Sequence, residues 1–167
     1  MQSRKRSGLF IRNVVFGIED SLVSTVGLLS GIAVVGVPHA IILMTGFVLI
    51  FVEAVSMAAG SYLSEESASE YEEGETDSEV RSALGAATMF VSYVLAGLVP
   101  IAPYLVAEGN TALAWSIGLS LAFLALLGYA QARLSRLPAF SRALRMLFLG
   151  GFAIVVGVVV GRLFGIA

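Results

Sequence analysis

A helix needs about 20 consecutive apolar residues to cross a bilayer. Five stretches of this chain reach that length: 14–37, 40–63, 83–107, 111–132 and 146–167. Spanning strands would need only about 10 residues each, with strict alternation of apolar and polar positions. These blocks do not alternate. The expectation is one all-α membrane domain over residues 1–167, with five transmembrane helices. Composition agrees. Hydrophobic residues make up 57% of the 167 and charged residues 13%, where a soluble domain has about 45–50% and about 25%.

The basic residues orient the bundle. Arg4, Lys5, Arg6 and Arg12 precede the first helix, Arg81 lies between the second and third, and Arg133, Arg136, Arg142 and Arg145 lie between the fourth and fifth. If the helices alternate, these nine share one side, and by the positive-inside rule that side is the cytosol. Only Arg162 approaches the other. The opening "MQSRKRSGLFIRNVVFG" has the charge of a signal peptide, but Glu19 and Asp20 interrupt the apolar run and no small-residue cleavage site follows. The first helix is therefore expected to be retained.

The outer loops are short, "GVPHA" and "EGN", and His39 reads as a surface residue of the first. The inner connection at 64–82 is acidic. Its run "SEESASEYEEGETDSE" holds eight of the twelve acidic residues. With no Pro or Gly before Gly74, helix two is expected to continue into it. Glu66, Glu70 and Glu73 (i, i+4, i+7) would then form one stripe beyond the membrane. They stand either as a solvated, self-repelling segment or as a place of metal capture. In the basic connection "RLSRLPAFSRALR", Ser141 is placed to cap helix five.

Three acids fall inside the spans: Glu19 and Asp20 in helix one and Glu53 in helix two. An Asp at the centre of an inserted helix costs about 2.5–3.5 kcal/mol, and no Lys or Arg sits centrally in any span to offset it. That leaves a bound cation, a proton, or a hydrogen-bonded packing role. Helical spacing puts Met57 on the face of Glu53 (i+4), with Ser56 beside it (i+3), and Ser24 on the face of Asp20. Carboxylates alone would suit Mg²⁺, Ca²⁺ or Mn²⁺, whereas a thioether tilts selectivity towards Fe²⁺. Met57 also reads as an ordinary gap-filler, and Glu19 as a wetted residue nearer the surface. Gly27-x-x-x-Gly31 and Gly157-x-x-x-Gly161 allow close helix contact and leave an oligomer open.

Several function classes are excluded. The chain has no cysteine, one histidine and a net charge of −2. It shows no nucleophile–base pair and no phosphate loop, so neither an enzyme nor a nucleic-acid binder is expected, and no cofactor.

"VFGIEDSLVSTVGLLSGIA" (15–33), "VEAVSMAAGSYLSEES" (52–67) and "TMFVSYVLAGLVPIAPYL" (88–105) resemble the signature regions of the vacuolar iron transporter family. The resemblance implies a homodimeric, proton-coupled exporter of Fe²⁺ and related divalent metals such as Mn²⁺, Co²⁺ or Zn²⁺. Its path would lie at the dimer interface, lined by helices one and two. The family's helix-one Asp falls on Asp20 and its helix-two Met on Met57, while Glu53 is added from spacing. The family's Asp-Gly is here Asp20-Ser21, and Ser61 stands where an acid is usual. The Glu- and Met-rich cytosolic insert between helices two and three is essentially absent, so its ligands do not carry over. Two other readings stay open: an uncoupled or differently selective facilitator, and a non-transporting membrane module that binds metal. A prokaryotic plasma membrane is the expected location, or a vacuolar membrane in a eukaryote.

Overall fold

The computed structural model describes residues 2–71, 78–135 and 138–165, with the side chains of 2–7 and 78 left aside. The described residues form five α-helices: α1 Gln2–Ala33, α2 His39–Tyr71, α3 Ser78–Val106, α4 Gly109–Ser135 and α5 Ala139–Phe164. Each contains a stretch long and apolar enough to cross a membrane.

The helices outrun the apolar stretches at the end of the bundle where the chain starts, here the N-terminal end. Hydropathy places the start of helix five at 146, but α5 begins at Ala139. Pro138 stands at its N-cap with φ −63° and no side-chain cap bond. Ser141 is therefore a residue of the first turn and caps nothing. Its neighbours Arg142 and Arg145 are polar without being helix breakers, which is why the helix runs through them. At the far end α1 stops at Ala33, short of 37. Gly36 adopts φ +76°, its N–H bonds the Ala33 carbonyl and that of Val37 bonds Ile32, a turn only glycine enters without strain. Helix α2 does continue through the first acids of 64–82, as far as Tyr71. Glu73 and Gly74 lie outside the described residues.

Helix α1 is the axis. It packs against all four others, while α2 lies on α3, and α5 on α4. The core between α1, α2 and α3 is built from Leu29, Ile42, Ile50, Ile101 and Tyr104. A second cluster joins Leu22 to Ala96, Leu124 and Met146.

Two devices fix α1 in place. The first is backbone contact with α5. A Cβ at Gly27 would lie 3.1 Å from the Ala153 carbonyl oxygen, and one at Gly31 2.5 Å from that of Gly157. Cβ atoms at Gly157 and Gly161 would in turn collide with the carbonyl oxygens of Gly27 and Gly31. The two small-residue motifs thus pack on each other within one chain and say nothing about a second copy. The second device is polar and lies at the N-terminal end. Asn13 Nδ2 donates to Ser61 Oγ and to the Gly85 carbonyl, each at 3.0 Å. One turn further along α2, Glu65 meets Arg81 of α3 at 2.6 Å and Arg12 of α1 at 3.6 Å. Glu65 is 7% exposed, a buried member of what reads in sequence as a solvated acidic run.

The glycine contact gives a direct test. Gly157→Val forces a branched side chain into the α1 backbone and should destabilise the bundle by about 1–3 kcal/mol or more. Gly118→Ala, where nothing lies within 4 Å of the new Cβ, should leave it unchanged. Thermal unfolding of the two purified variants in detergent checks this.

Candidate functional site

The stripe of α1 that carries Asp20 and Ser24 continues one turn on as Gly27 and Gly31. Because α5 presses on the glycines, it covers the far part of the stripe and leaves the polar part open. The result is a groove of about 490 Å³ with α1 as its floor, α2 on one side and α5 on the other. Asp20, Ser24, Leu49 and Glu53 line it, together with Ala153, Val156 and Gly157 of α5. No Lys, Arg or His is on the lining. A larger apolar groove of about 610 Å³ lies between α1, α3 and α4, around Val14, Ile18, Val91 and Leu95, and holds no charged group. It offers nothing to attract a cation.

Glu53 is held by two other helices. Ser24 Oγ donates to Glu53 Oε2 at 3.0 Å, and the Tyr93 hydroxyl of α3 donates to the same oxygen. The two hydroxyl oxygens are 2.8 Å apart, so three oxygens from three helices form a closed triangle. Ser21 fixes Tyr93 from behind, its Oγ donating to the Tyr93 carbonyl at 2.7 Å. Tyr93 is fully buried. Glu53 Oε1 and both oxygens of Asp20 receive no hydrogen bond from a described residue, and they remain for whatever enters the groove.

The sequence reading named five residues here, and the structure brings two of them, Asp20 and Glu53, to one cavity. Glu19 is half-buried beside Asp20 and off the lining. Met57 is half-buried one turn from Glu53 towards the N-terminal end, and Ser56 next to it is exposed. Further along α2, Glu66 is half-buried and Glu70 exposed. Glu73, the third of that stripe, is outside the described residues. Among the described residues, no three His, Asp or Glu side chains come together as a metal cluster. One chain therefore brings two carboxylates and the Ser24 hydroxyl to the groove, which for a metal ion would be an incomplete shell.

Tyr93 is the residue that the sequence reading missed. The signal was available, since a tyrosine in the middle of an apolar span needs a partner for its hydroxyl. Nothing in the sequence says that the partner is Glu53, forty residues away on another helix.

A family model described as the VIT family matches residues 11–84 and 77–162. The two matched segments meet at the junction of α2 and α3, where the sequence reading expects the family's insert to be lacking. A curated relative, Vacuolar iron transporter 1 of Oryza sativa subsp. japonica, is 23% identical over 207 residues, covering 88% of this chain and 82% of its own.

The hydroxyl–carboxylate triangle should show as non-additivity. A hydrogen bond to a charged group contributes about 1.5–3 kcal/mol, so Tyr93→Phe and Glu53→Ala should couple by about that much in a double-mutant cycle on unfolding free energy. Ser56→Ala, on an exposed site, should be near neutral and additive with both.

Proposed function

The chain belongs to the VIT family, and on that premise we propose that it carries Fe²⁺, with Mn²⁺ as a second substrate, out of the cytosol in exchange for protons. Five membrane-length helices and this family make it a multi-pass integral membrane protein, and members of the family are transporters, not enzymes. The observation that supports the reading most is the pair Asp20 and Glu53. Two carboxyls from two helices share one groove at membrane depth, with no Lys, Arg or His on its lining.

The chemistry follows from the donor set. Carboxylate and hydroxyl oxygens at a common point are hard ligands for a divalent ion. Met57, one turn along the face of Glu53, would present a softer sulfur as the ion moves along α2. Protons compete for the same oxygens. In the triangle of Ser24, Tyr93 and Glu53, both hydroxyl protons point to Oε2, so a proton taken up by the carboxyl sits on its other oxygen, which receives no hydrogen bond from a described residue. Metal bound at Glu53 displaces that proton, and its release restores it. This is the exchange an antiporter needs.

The incomplete shell supports a homodimer. The groove opens sideways between α2 and α5, whose membrane windows are only 22% and 11% buried, against 50% for α1 and α3. A second copy across this face would bring a second Asp20 and Glu53 to the path, as the family resemblance implies. With the basic connections in the cytosol, the N-terminal end is the inner mouth. The exposed carboxylates there, Glu70 among them, raise the local cation concentration.

Proteoliposomes provide the test. Fe²⁺ flux through the wild-type chain should require an imposed pH gradient, and Asp20→Ala should lower it by about tenfold or more, a loss of at least 1.4 kcal/mol. Flux indifferent to the gradient would leave the uncoupled facilitator in its place, and binding without flux the non-transporting module. Met57→Ala should narrow the preference for Fe²⁺ over Mn²⁺ in competition. An unchanged ratio would make Met57 a packing residue.

A further inference from the structure

A carboxylate oxygen accepts through two lone pairs. At Glu53 both lone pairs of Oε2 are taken inside the protein, one by the Ser24 hydroxyl at 3.0 Å and the other by the Tyr93 hydroxyl. Oε1 receives no hydrogen bond from a described residue. The two oxygens of one carboxyl thus have different duties. Oε2 belongs to the packing, and Oε1 is left for an ion.

The two donors are not equally firm. Ser24 lines the groove, and a serine hydroxyl turns about a single short bond. Tyr93 is fully buried and lies off the lining. Its carbonyl accepts the Ser21 hydroxyl at 2.7 Å. One turn along α3, Gly97 lets three helices close on each other. A Cβ there would lie 2.6 Å from Cγ1 of Ile50 on α2 and 2.7 Å from Oγ of Ser21 on α1. A ring set in packing this close keeps one orientation, so the Tyr93 hydroxyl stays on Oε2.

On the reading that Asp20 and Glu53 hold the ion, on which this rests, we propose that Tyr93 determines specificity. By occupying Oε2 from behind, it holds Glu53 to one-oxygen coordination and so sets the site against Ca²⁺ and in favour of smaller divalent ions. The reason is the number of oxygens each ion needs. Ca²⁺ takes about 6–8 and commonly fills its shell with carboxylates that bind through both oxygens. A smaller octahedral ion takes single oxygens and keeps water in the remaining positions. The second oxygen of Glu53 is what Ca²⁺ would gain, and Tyr93 withholds it. Tyr93 touches no ion itself. It is a positioning residue that acts through Glu53.

Isothermal titration of the purified chain in detergent, with MnCl₂ and with CaCl₂, tests this. Only the binding that Asp20→Ala removes is counted, because exposed carboxylates such as Glu70 attract either ion. Tyr93→Phe keeps the ring and deletes the donor. It should lower the ratio of Mn²⁺ to Ca²⁺ affinity by about tenfold, the scale of one hydrogen bond to a charged group. Ser21→Ala loosens Tyr93 without touching Glu53, and should shift the ratio the same way by less. It also carries the test if Tyr93→Phe does not fold. A residue that only holds the fold moves both affinities together, so an unchanged ratio, or equal weakening of both ions, overturns the proposal. If Asp20→Ala binds both ions as the wild type does, the ion lies elsewhere, and the site reading fails with the role of Tyr93. If Asp20→Ala abolishes binding while the ratio stays fixed in Tyr93→Phe and Ser21→Ala, the role of Tyr93 alone fails.

Discussion

An ionised carboxyl at the centre of a membrane helix costs about 2.5–3.5 kcal/mol on insertion, and the rest of this structure depends on how that cost is met at Glu53. Among the described residues, no basic side chain reaches it. Two hydroxyls from two other helices, Ser24 and Tyr93, meet one of its oxygens, and Ser21 anchors the backbone of Tyr93. For the three oxygens to close, α1, α2 and α3 must keep their relative depth. The site is therefore a property of the packing, and the packing is built to hold α1 still.

Two unlike contacts do this. Towards the far end, α1 and α5 touch through glycines, backbone to backbone, in the manner of small-residue membrane contacts. Towards the N-terminal end, Asn13, Ser61, Glu65 and Arg81 tie α1 to α2 and α3 with buried polar bonds. A buried ion pair is weak evidence of added stability. What the pair does is join α2 to α3 directly, Arg81 to Glu65 at 2.6 Å. Between the two contacts lies the open stretch of α1, and Asp20 and Ser24 are on it.

Much of this was legible in the sequence, and the missing parts have physical reasons. Hydropathy finds the spans, and a missing counter-charge marks Asp20 and Glu53, because both are single-helix properties. Helix ends were read short because 2–13 and 139–145 are polar yet helical. The glycine motifs suggested close contact, but spacing on one helix cannot name the partner helix, which proved to be α5 of the same chain. Tyr93 was missed because its role lies in a contact across 40 residues of chain. Glu65 was hidden among its acidic neighbours. One signal did exist. The buried stripe of α2 runs Ile50, Ala54, Ser61, Glu65 and Ser69, so a core-facing row continues past the apolar run with polar residues in it.

The central claim is that metal binds at membrane depth between α1 and α2. Its most direct measurement is an anomalous difference map from crystals of the chain grown with Mn²⁺. The account predicts a peak within coordination distance of Asp20 and Glu53, at about 2.0–2.6 Å from their oxygens. A peak found only beside the exposed acids at the end of α2, with none between Asp20 and Glu53, would contradict it.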